Sequence, residues 1–244
     1  MQLTILGNNG PFQSAGGACS GYLITEGDTR ILIDCGNGVL GNLLKFTRFE
    51  ELDAIILTHL HSDHISDMLV LKYAVEIKIN KGMMNKPIKI YLPDEPLEEF
   101  KRFDVKGVFD VQTISESLML QFGDLKINFK QMKHPVKCFG ISVSNGTRRF
   151  VFSGDTSWTE DIIEFAENCD MLMLDSGLLA DQKTNENVPH LTSRECGIIA
   201  KQARVKRLLL THFWPETAIG EYVKEARENF KDTEASVLLA VYEI

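Results

Sequence analysis

The segment Thr58-His59-Leu60-His61-Ser62-Asp63-His64 constrains this chain more than any other. It places three of the six histidines within six residues, directly after the apolar run Ala54 to Leu57. A short continuous apolar run reads as a buried strand. Alternate side chains of an extended loop point the same way, so His59 and His61 can face one metal ion together. Asp63 and His64 fall where the chain turns into a helix. Adjacent residues diverge there, so this pair can face a second ion beside the first. Imidazole nitrogens with a hard carboxylate suit zinc, and also iron or manganese. The bland alternative is a solvated polar loop, and chance clustering of so few histidines accounts for it poorly.

Three more residues share one context, an acceptor just past the end of an apolar strand. His134 follows Leu125 to Met132, Asp155 follows Arg149-Phe150-Val151-Phe152-Ser153-Gly154, and His212 follows Leu208-Leu209-Leu210-Thr211. In α/β sheets that edge is where ligands bind. Alone, each residue reads equally well as a surface or turn residue; beside the histidine cluster they read as further ligands. The run Leu52 to His59 also has an echo in Val205 to His212, since both are apolar strands ending in Thr-His.

The rest of the pattern is that of one α/β domain over residues 1–244. Strands are expected at Leu3–Leu6, Tyr22–Thr25, Arg30–Asp34, Ala54–Leu57 and Ile88–Leu92, with helices at Val39–Phe46, Asp63–Ile77 and Pro96–Phe103. Strand follows strand from Val108 to Phe152, and Asn145-Gly146 signals a hairpin turn. Helices at Glu160–Asn168, Ser193–Ala203 and Ile219–Phe230 then alternate with strands at Met171–Leu174, Arg207–Leu210 and Ser236–Val241. Apolar residues make up 44% and charged residues 25%, which excludes a disordered or low-complexity chain. No apolar run reaches the roughly 18 residues of a membrane span. No basic segment with an apolar stretch opens the chain, so a cytoplasmic location without membrane contact is expected. The five cysteines include no Cys-x-x-Cys pair and read as reduced thiols. Lys plus Arg is 26 against 34 Asp plus Glu, a net charge of −8 that argues against a long nucleic-acid track.

The ordered motifs resemble the metallo-β-lactamase superfamily over nearly the whole chain. Within it the chain is most similar to the ribonuclease Z branch. Pro189-His190-Leu191-Thr192, followed by a helix and the strand carrying His212, matches that branch's His-x-Thr motif, and the Gly7 loop with Ser20 points the same way. The resemblance implies an α/β, four-layer αββα sandwich. It implies that His59, His61 and His134 hold one metal, that Asp63, His64 and His212 hold a second, and that Asp155 bridges both. His190 would supply a proton to the leaving group instead of ligating. His61, where a flavodiiron-type member would have Glu, argues against redox chemistry. Asp155, where the antibiotic-degrading zinc enzymes have Cys, argues against a β-lactamase. Asp34, Thr58 and Asp175 are candidates to accept hydrogen bonds from ligating imidazoles, beside ordinary turn or capping roles. Cys138 reads as a buried structural thiol.

Chemistry and resemblance together point to a hydrolase with two divalent ions, zinc first and manganese also suited. Its expected substrate is a small phosphodiester or cyclic nucleotide, attacked by a metal-bridging hydroxide that Asp63 orients while His190 acts as general acid. Ribonuclease Z carries a tRNA-gripping arm between the counterparts of His134 and Asp155, but here only Pro135 to Gly154 intervene. An RNA 3′-processing endonuclease working without the arm, and a metal-dependent ester or lactone hydrolase, are the alternatives. Lys72, Lys78, Lys81, Lys86 and Lys89, against Glu76 alone, form a basic stretch placed beside the site, where a solvated helix face competes with a phosphate-attracting role. The family's habit of dimerising leaves a homodimer open.

Overall fold

A computed structural model of the chain describes residues 1–185 and 188–244. Short apolar runs punctuated by Gly and Asn form an antiparallel meander of β1 (Gln2–Gly7), β2 (Gly21–Glu26) and β3 (Thr29–Ile33). Helix α1 (Val39–Leu43) leads to β4 (Ala54–Ile56), which runs parallel to β3. Helix α2 (Ser62–Asn80), β5 (Ile88–Leu92), α3 (Leu97–Lys101) and β6 (Phe109–Thr113) extend this sheet in parallel. A second sheet begins with the antiparallel strands β7 (Met119–Phe122), β8 (Leu125–Met132), β9 (Cys138–Ser144) and β10 (Arg149–Phe152). It continues in parallel through α4 (Glu160–Ala166), β11 (Met171–Asp175), α5 (Ser193–Gln202), β12 (Arg207–Thr211), α6 (Ile219–Arg227) and β13 (Thr233–Ala235). Strand β14 (Val241–Glu243) returns to pair with β1. The described residues thus make two seven-stranded sheets, ordered β14-β1-β2-β3-β4-β5-β6 and β13-β12-β11-β10-β9-β8-β7.

Strand patterning sets the layers. Ile31 and Ile33 of β3 face the space between the sheets, where Phe129, Phe139, Phe150 and Leu209 meet them, while Leu32 faces α1 and α2. Leu209 of β12 faces the same inner core, while Leu208 and Leu210 face α4, α5 and α6. Alternate residues of a strand serve opposite faces, so a strand covered on both sides must be apolar throughout. Strands β4 and β11 are buried at every position. Strand β8 has one wetter face: Leu125, Ile127 and Phe129 point to the inner core between more exposed residues, and only at its end does Met132 turn to the helical layer on the other side. The result is the four-layer αββα sandwich expected from the motifs. The Asn145-Gly146 turn joins β9 to β10, with Gly146 at φ 88°. The two Thr-His strands, β4 and β12, are interior strands of opposite sheets, each paired in parallel with the strand before it.

One expected element is absent. The apolar run Ser236–Val241 is not a strand. The chain crosses there from the second sheet to the first, and one strand cannot serve both. Ser236 N donates to Leu210 O at 2.8 Å, whereas Ile5 N donates to Ala240 O at 3.0 Å. Between them Leu239 adopts φ 65°, and the Tyr242 hydroxyl accepts from Val237 N at 3.0 Å. The basic stretch also lies elsewhere than expected. Lys78 is about 21 Å along the α2 axis from His64, pairs with Glu50 and sits 4.6 Å over the Phe49 ring. Among the described residues, no helix is long and apolar enough to cross a membrane.

All five cysteines are free and buried. Burial pushes the Cys19 thiol up to about 11 and Cys169 up to about 12, so both stay protonated and unreactive at pH 8. A disulfide reagent at pH 8 should find essentially no thiol in the folded protein and five in 6 M guanidinium. Rapid labelling of the native state would contradict this burial. Leu209→Ala removes a fully buried side chain between the sheets, and urea unfolding should show a loss of about 2–5 kcal/mol.

Candidate metal centre

The carboxyl ends of β3, β4, β8, β10, β11 and β12 meet at one edge of the sandwich. They deliver Asp34, His59, His134, Asp155, Asp175 and His212, and the turn into α2 adds His61, Asp63 and His64. Backbone strain is concentrated here. Asp34 has φ 57° and His212 has φ 63°, a left-handed conformation that costs a non-glycine residue of order 1–3 kcal/mol. Glycines permit the close packing of the loops. A Cβ on Gly10 would fall 2.0 Å from His212 Nε2, and one on Gly36 would fall 1.9 Å from the Asp63 carbonyl oxygen.

Among the described residues three groups of side chains converge, the third being Asp155, Asp175, His190 and His212. His59, His61 and His134 form the first; Asp63, His64, Asp155 and His212 form the second. In the first, His61 Nδ1 lies 3.1 Å from both His59 Nε2 and His134 Nε2. The outer nitrogens are held from behind. His134 Nδ1 donates to Pro189 O at 3.2 Å, and His59 Nδ1 lies 3.1 Å from Thr58 Oγ1. With Nδ1 protonated, each Nε2 turns its lone pair inward. Burial pushes His59, His61 and His134 below the ordinary imidazole value. The neutral form that results is the one that binds a metal.

In the second group, Asp155 lies between imidazoles. Its Oδ1 is 3.4 Å from His64 Nε2, and its Oδ2 is 3.3 Å from His212 Nε2 and 3.8 Å from His59 Nε2. Asp63 Oδ2 is 3.2 Å from His212 Nε2 and 3.6 Å from His64 Nε2. Asp34 is wholly buried, accepts from His64 Nδ1 at 2.8 Å, and accepts from Thr58 N at 2.8 Å. Thr58 thus braces both His59 and Asp34. Burial lowers His64 and His212, but Asp155 and the other carboxylates around them outweigh it, and both end well above the ordinary value.

The donor set fits divalent cations. His64 Nε2 and Asp155 Oδ1 are buried and make no hydrogen bond. Leaving such groups unpaired costs about 1–3 kcal/mol each. Carboxylates packed this closely need positive charge between them. A cation among the same atoms would satisfy these orphaned groups.

His190 stands beside the second group, its Nδ1 3.8 Å from Asp155 Oδ2. Its Nδ1 donates to Asp175 Oδ2 at 2.8 Å, and its ring is 5.8 Å from His134 and 5.2 Å from His212. It is about a quarter exposed, whereas Asp175 is wholly buried and also lies 3.4 Å from His212 Nδ1. Burial lowers His190, and Asp175 more than compensates, so it holds a proton above the usual range. Thr192 caps α5 by accepting from Glu195 N at 3.1 Å. The helix-start and site readings of this loop therefore hold together. Cys138 is buried, as expected of a structural thiol.

Sequence reasoning missed Tyr22 and Gly10. The Tyr22 hydroxyl lies 2.8 Å from Thr211 Oγ1 and joins the sheets just below His212. Asn-Gly-Pro at Gly10 marks a turn in the sequence without saying what it abuts. Both are contacts between segments about 190 residues or more apart, for which no local signal exists.

A beta-lactamase superfamily domain model matches residues 29–213. The chain belongs to that superfamily, on its ribonuclease Z-like branch, among the metal-dependent hydrolases. It is 33% identical to the probable metallo-hydrolase YhfI of Bacillus subtilis, over 94% of both chains. The crystal structure of YhfI, described as a metallo-beta-lactamase fold protein, superposes with a TM-score of 0.94 over 99% of this chain and 98% of that one. A ribonuclease Z of Thermoplasma acidophilum is 27% identical, covering 100% of this chain and 96% of its own length. Human tRNase Z, short form, shares the fold at 22% identity, with a TM-score of 0.79 over 100% of this chain and 99% of that one.

Divalent cation should stabilise the fold. At a hundred times its dissociation constant, Zn2+ or Mn2+ should add about 2.7 kcal/mol in denaturant unfolding. Asp155→Ala should abolish most of that gain, and an unchanged gain would remove Asp155 from the centre.

Proposed function

We propose that the chain works as one domain and hydrolyses a small phosphodiester, with His59, His61 and His134 holding one divalent ion and Asp63, His64 and His212 a second. Asp155 is shared between them. The observation that carries this reading is the His190–Asp175 pair beside two converging ligand groups. An ester or lactone hydrolase needs no imidazole held protonated at the rim by a buried carboxylate, whereas a departing alkoxide needs a proton donor. When bound, two such cations supply Lewis acidity, neutralise the diester anion and lower the pKa of water from about 15.7 to about 7. Zinc is the first choice for this donor set, and manganese also suits it.

The chain's own residues do the remainder. Asp63 accepts a hydrogen bond from the attacking water and orients it. Asp175 holds the His190 ring and its charge, so that the other ring nitrogen, Nε2, can deliver a proton to the departing oxygen. Asp34, Thr58 and the Pro189 carbonyl fix the rings of His64, His59 and His134. Burial of the ligands excludes bulk water, which strengthens each of these interactions.

A compact substrate is favoured over tRNA. Only the β9–β10 hairpin stands between His134 and Asp155. The alignment with the Thermoplasma ribonuclease Z spans 301 positions against 244 residues here, so that relative carries segments this chain lacks. The acidic net charge of −8 points the same way.

A hydrolysis assay of the metal-loaded protein tests the reading, with bis(p-nitrophenyl) phosphate, a lactone and a precursor tRNA side by side. Diester cleavage without tRNA cleavage is expected. Activity confined to the lactone would overturn it. Asp155→Ala should lose bound metal and all activity. His190→Ala should keep its metal and lose about 10²–10⁴-fold in rate, most on diesters with poor leaving groups. Loss of metal from His190→Ala would make His190 a ligand instead of an acid.

A further inference from the structure

One carboxylate outside the site fastens the loop that carries His190. That loop joins β11 to α5, and Glu225 of α6 reaches both of its arms. On the arm leaving β11, Glu225 accepts from Ala180 N, at 3.2 Å to Oε1 and 3.1 Å to Oε2. On the arm entering α5, its Oε2 accepts from Ser193 Oγ at 2.5 Å and from Arg194 N at 3.0 Å. The Arg194 guanidinium stands 3.6 Å from Oε1. The arms also meet each other, where Ser193 N donates to Leu178 O at 2.9 Å. His190 lies three residues before Ser193. Glu225 belongs to none of the converging ligand groups.

The packing of α5 on α6 gives Glu225 this reach. Tyr222 and Ala226 of α6 are fully buried and fix the helix in the core. Gly197 of α5 lets the two helices close together, since a Cβ there would fall 2.4 Å from Ala226 O. The Glu225 carboxylate thereby meets the start of α5, where unpaired N–H groups and the helix dipole favour an anion. Each amide of that first turn has its own acceptor. Ser193 N uses Leu178 O, Arg194 N uses Glu225, Glu195 N uses Thr192 Oγ1, and Cys196 N uses Thr192 O. From inside the loop, Asp175 accepts from Gly177 N at 3.0 Å and from His190 Nδ1 at 2.8 Å. Asp175 sets how the ring points, and Glu225 holds the backbone that carries it.

We propose that Glu225 is a positioning residue for proton delivery. By tying both arms of the loop to α6, it fixes how far His190 Nε2 stands from the departing oxygen. The inference rests on the phosphodiesterase reading above, in which His190 is the acid. One water is consumed in that step. Its oxygen joins phosphorus, the bond from phosphorus to the departing oxygen breaks, and that oxygen takes the proton from His190 Nε2. A proton released by the water replaces it. A displacement of about 1 Å in a group of this kind costs about a hundredfold in rate, so a tether remote from the metals acts on the chemistry through His190 alone.

Two measurements test this independently. The first compares Glu225→Ala and Glu225→Gln with the native protein, all metal-loaded, on diphenyl phosphate and bis(p-nitrophenyl) phosphate. Phenolate is the poorer leaving group and depends more on the acid. Glu225→Ala should lower kcat on diphenyl phosphate at least about tenfold further than on bis(p-nitrophenyl) phosphate, with KM and bound metal retained. Glu225→Gln keeps an accepting oxygen and should recover most of that loss. Added to His190→Ala, Glu225→Ala should cost no more than about twofold. An equal loss on both diesters, or a full loss on top of His190→Ala, would overturn the proposal. The second measurement follows amide exchange by NMR and needs no turnover. Gly177 N and Ser193 N bond to Asp175 and Leu178, not to Glu225. Both should exchange at least about tenfold faster in Glu225→Ala, while Cys35 N, which donates to His64 O at 2.8 Å, keeps its rate. Acceleration confined to Ala180 and Arg194, or equal at Cys35, would overturn the proposal. If the native protein hydrolyses neither diester, the phosphodiesterase reading has failed, and the exchange rates still decide whether Glu225 holds the loop.

Discussion

The structure around its active edge depends on one electrostatic constraint. Asp63 and Asp155 share a buried space with His64 and His212, with Asp34 and Asp175 directly behind those imidazoles. Burial penalises every charge there. The arrangement is tolerable only because imidazoles and carboxylates alternate at 2.8–3.4 Å and because backbone and threonine donors hold the outer carboxylates. A cation bound among these atoms removes the conflict, which explains why Asp155 Oδ1 and His64 Nε2 are left without hydrogen bonds. Two parallel strand edges, brought together across the inner core, make this concentration of ligands possible.

The braces matter as much as the ligands. Asp34 sits at φ 57° and His212 at φ 63°, so the backbone is strained where the ligands are presented. Strain of this kind persists only when the surroundings over-determine it. Thr58 bonded to Asp34, Tyr22 beside Thr211 and Gly10 against the His212 ring supply that rigidity. Asp175 serves two imidazoles, His190 and His212, and so couples the proton-holding edge to the ligand cluster.

Much of this was legible in the sequence, and the reason is local chemistry. Six histidines of which three fall in one short motif, and strand runs that end in His or Asp, carry their meaning in the residues themselves. The strands whose apolar pattern was uniform or strictly alternating formed as expected. Ser236–Val241 was misread because an apolar run says that a segment is buried, not between which layers. Here it crosses from one sheet to the other. The lysines after Lys72 were misplaced for a similar reason. Nearness in sequence to His64 did not survive the length of α2.

The sequence by itself determined the chemistry of the site: which donors, how many, and that they sit at strand ends. It did so because ligand type and strand periodicity are properties of short segments. Only the tertiary structure decided how those donors group, that Asp155 lies between both sets, and that Asp175 stands behind His190. Those facts depend on contacts between residues up to about 150 positions apart, and such distances are fixed by the packing of two sheets rather than by any local preference.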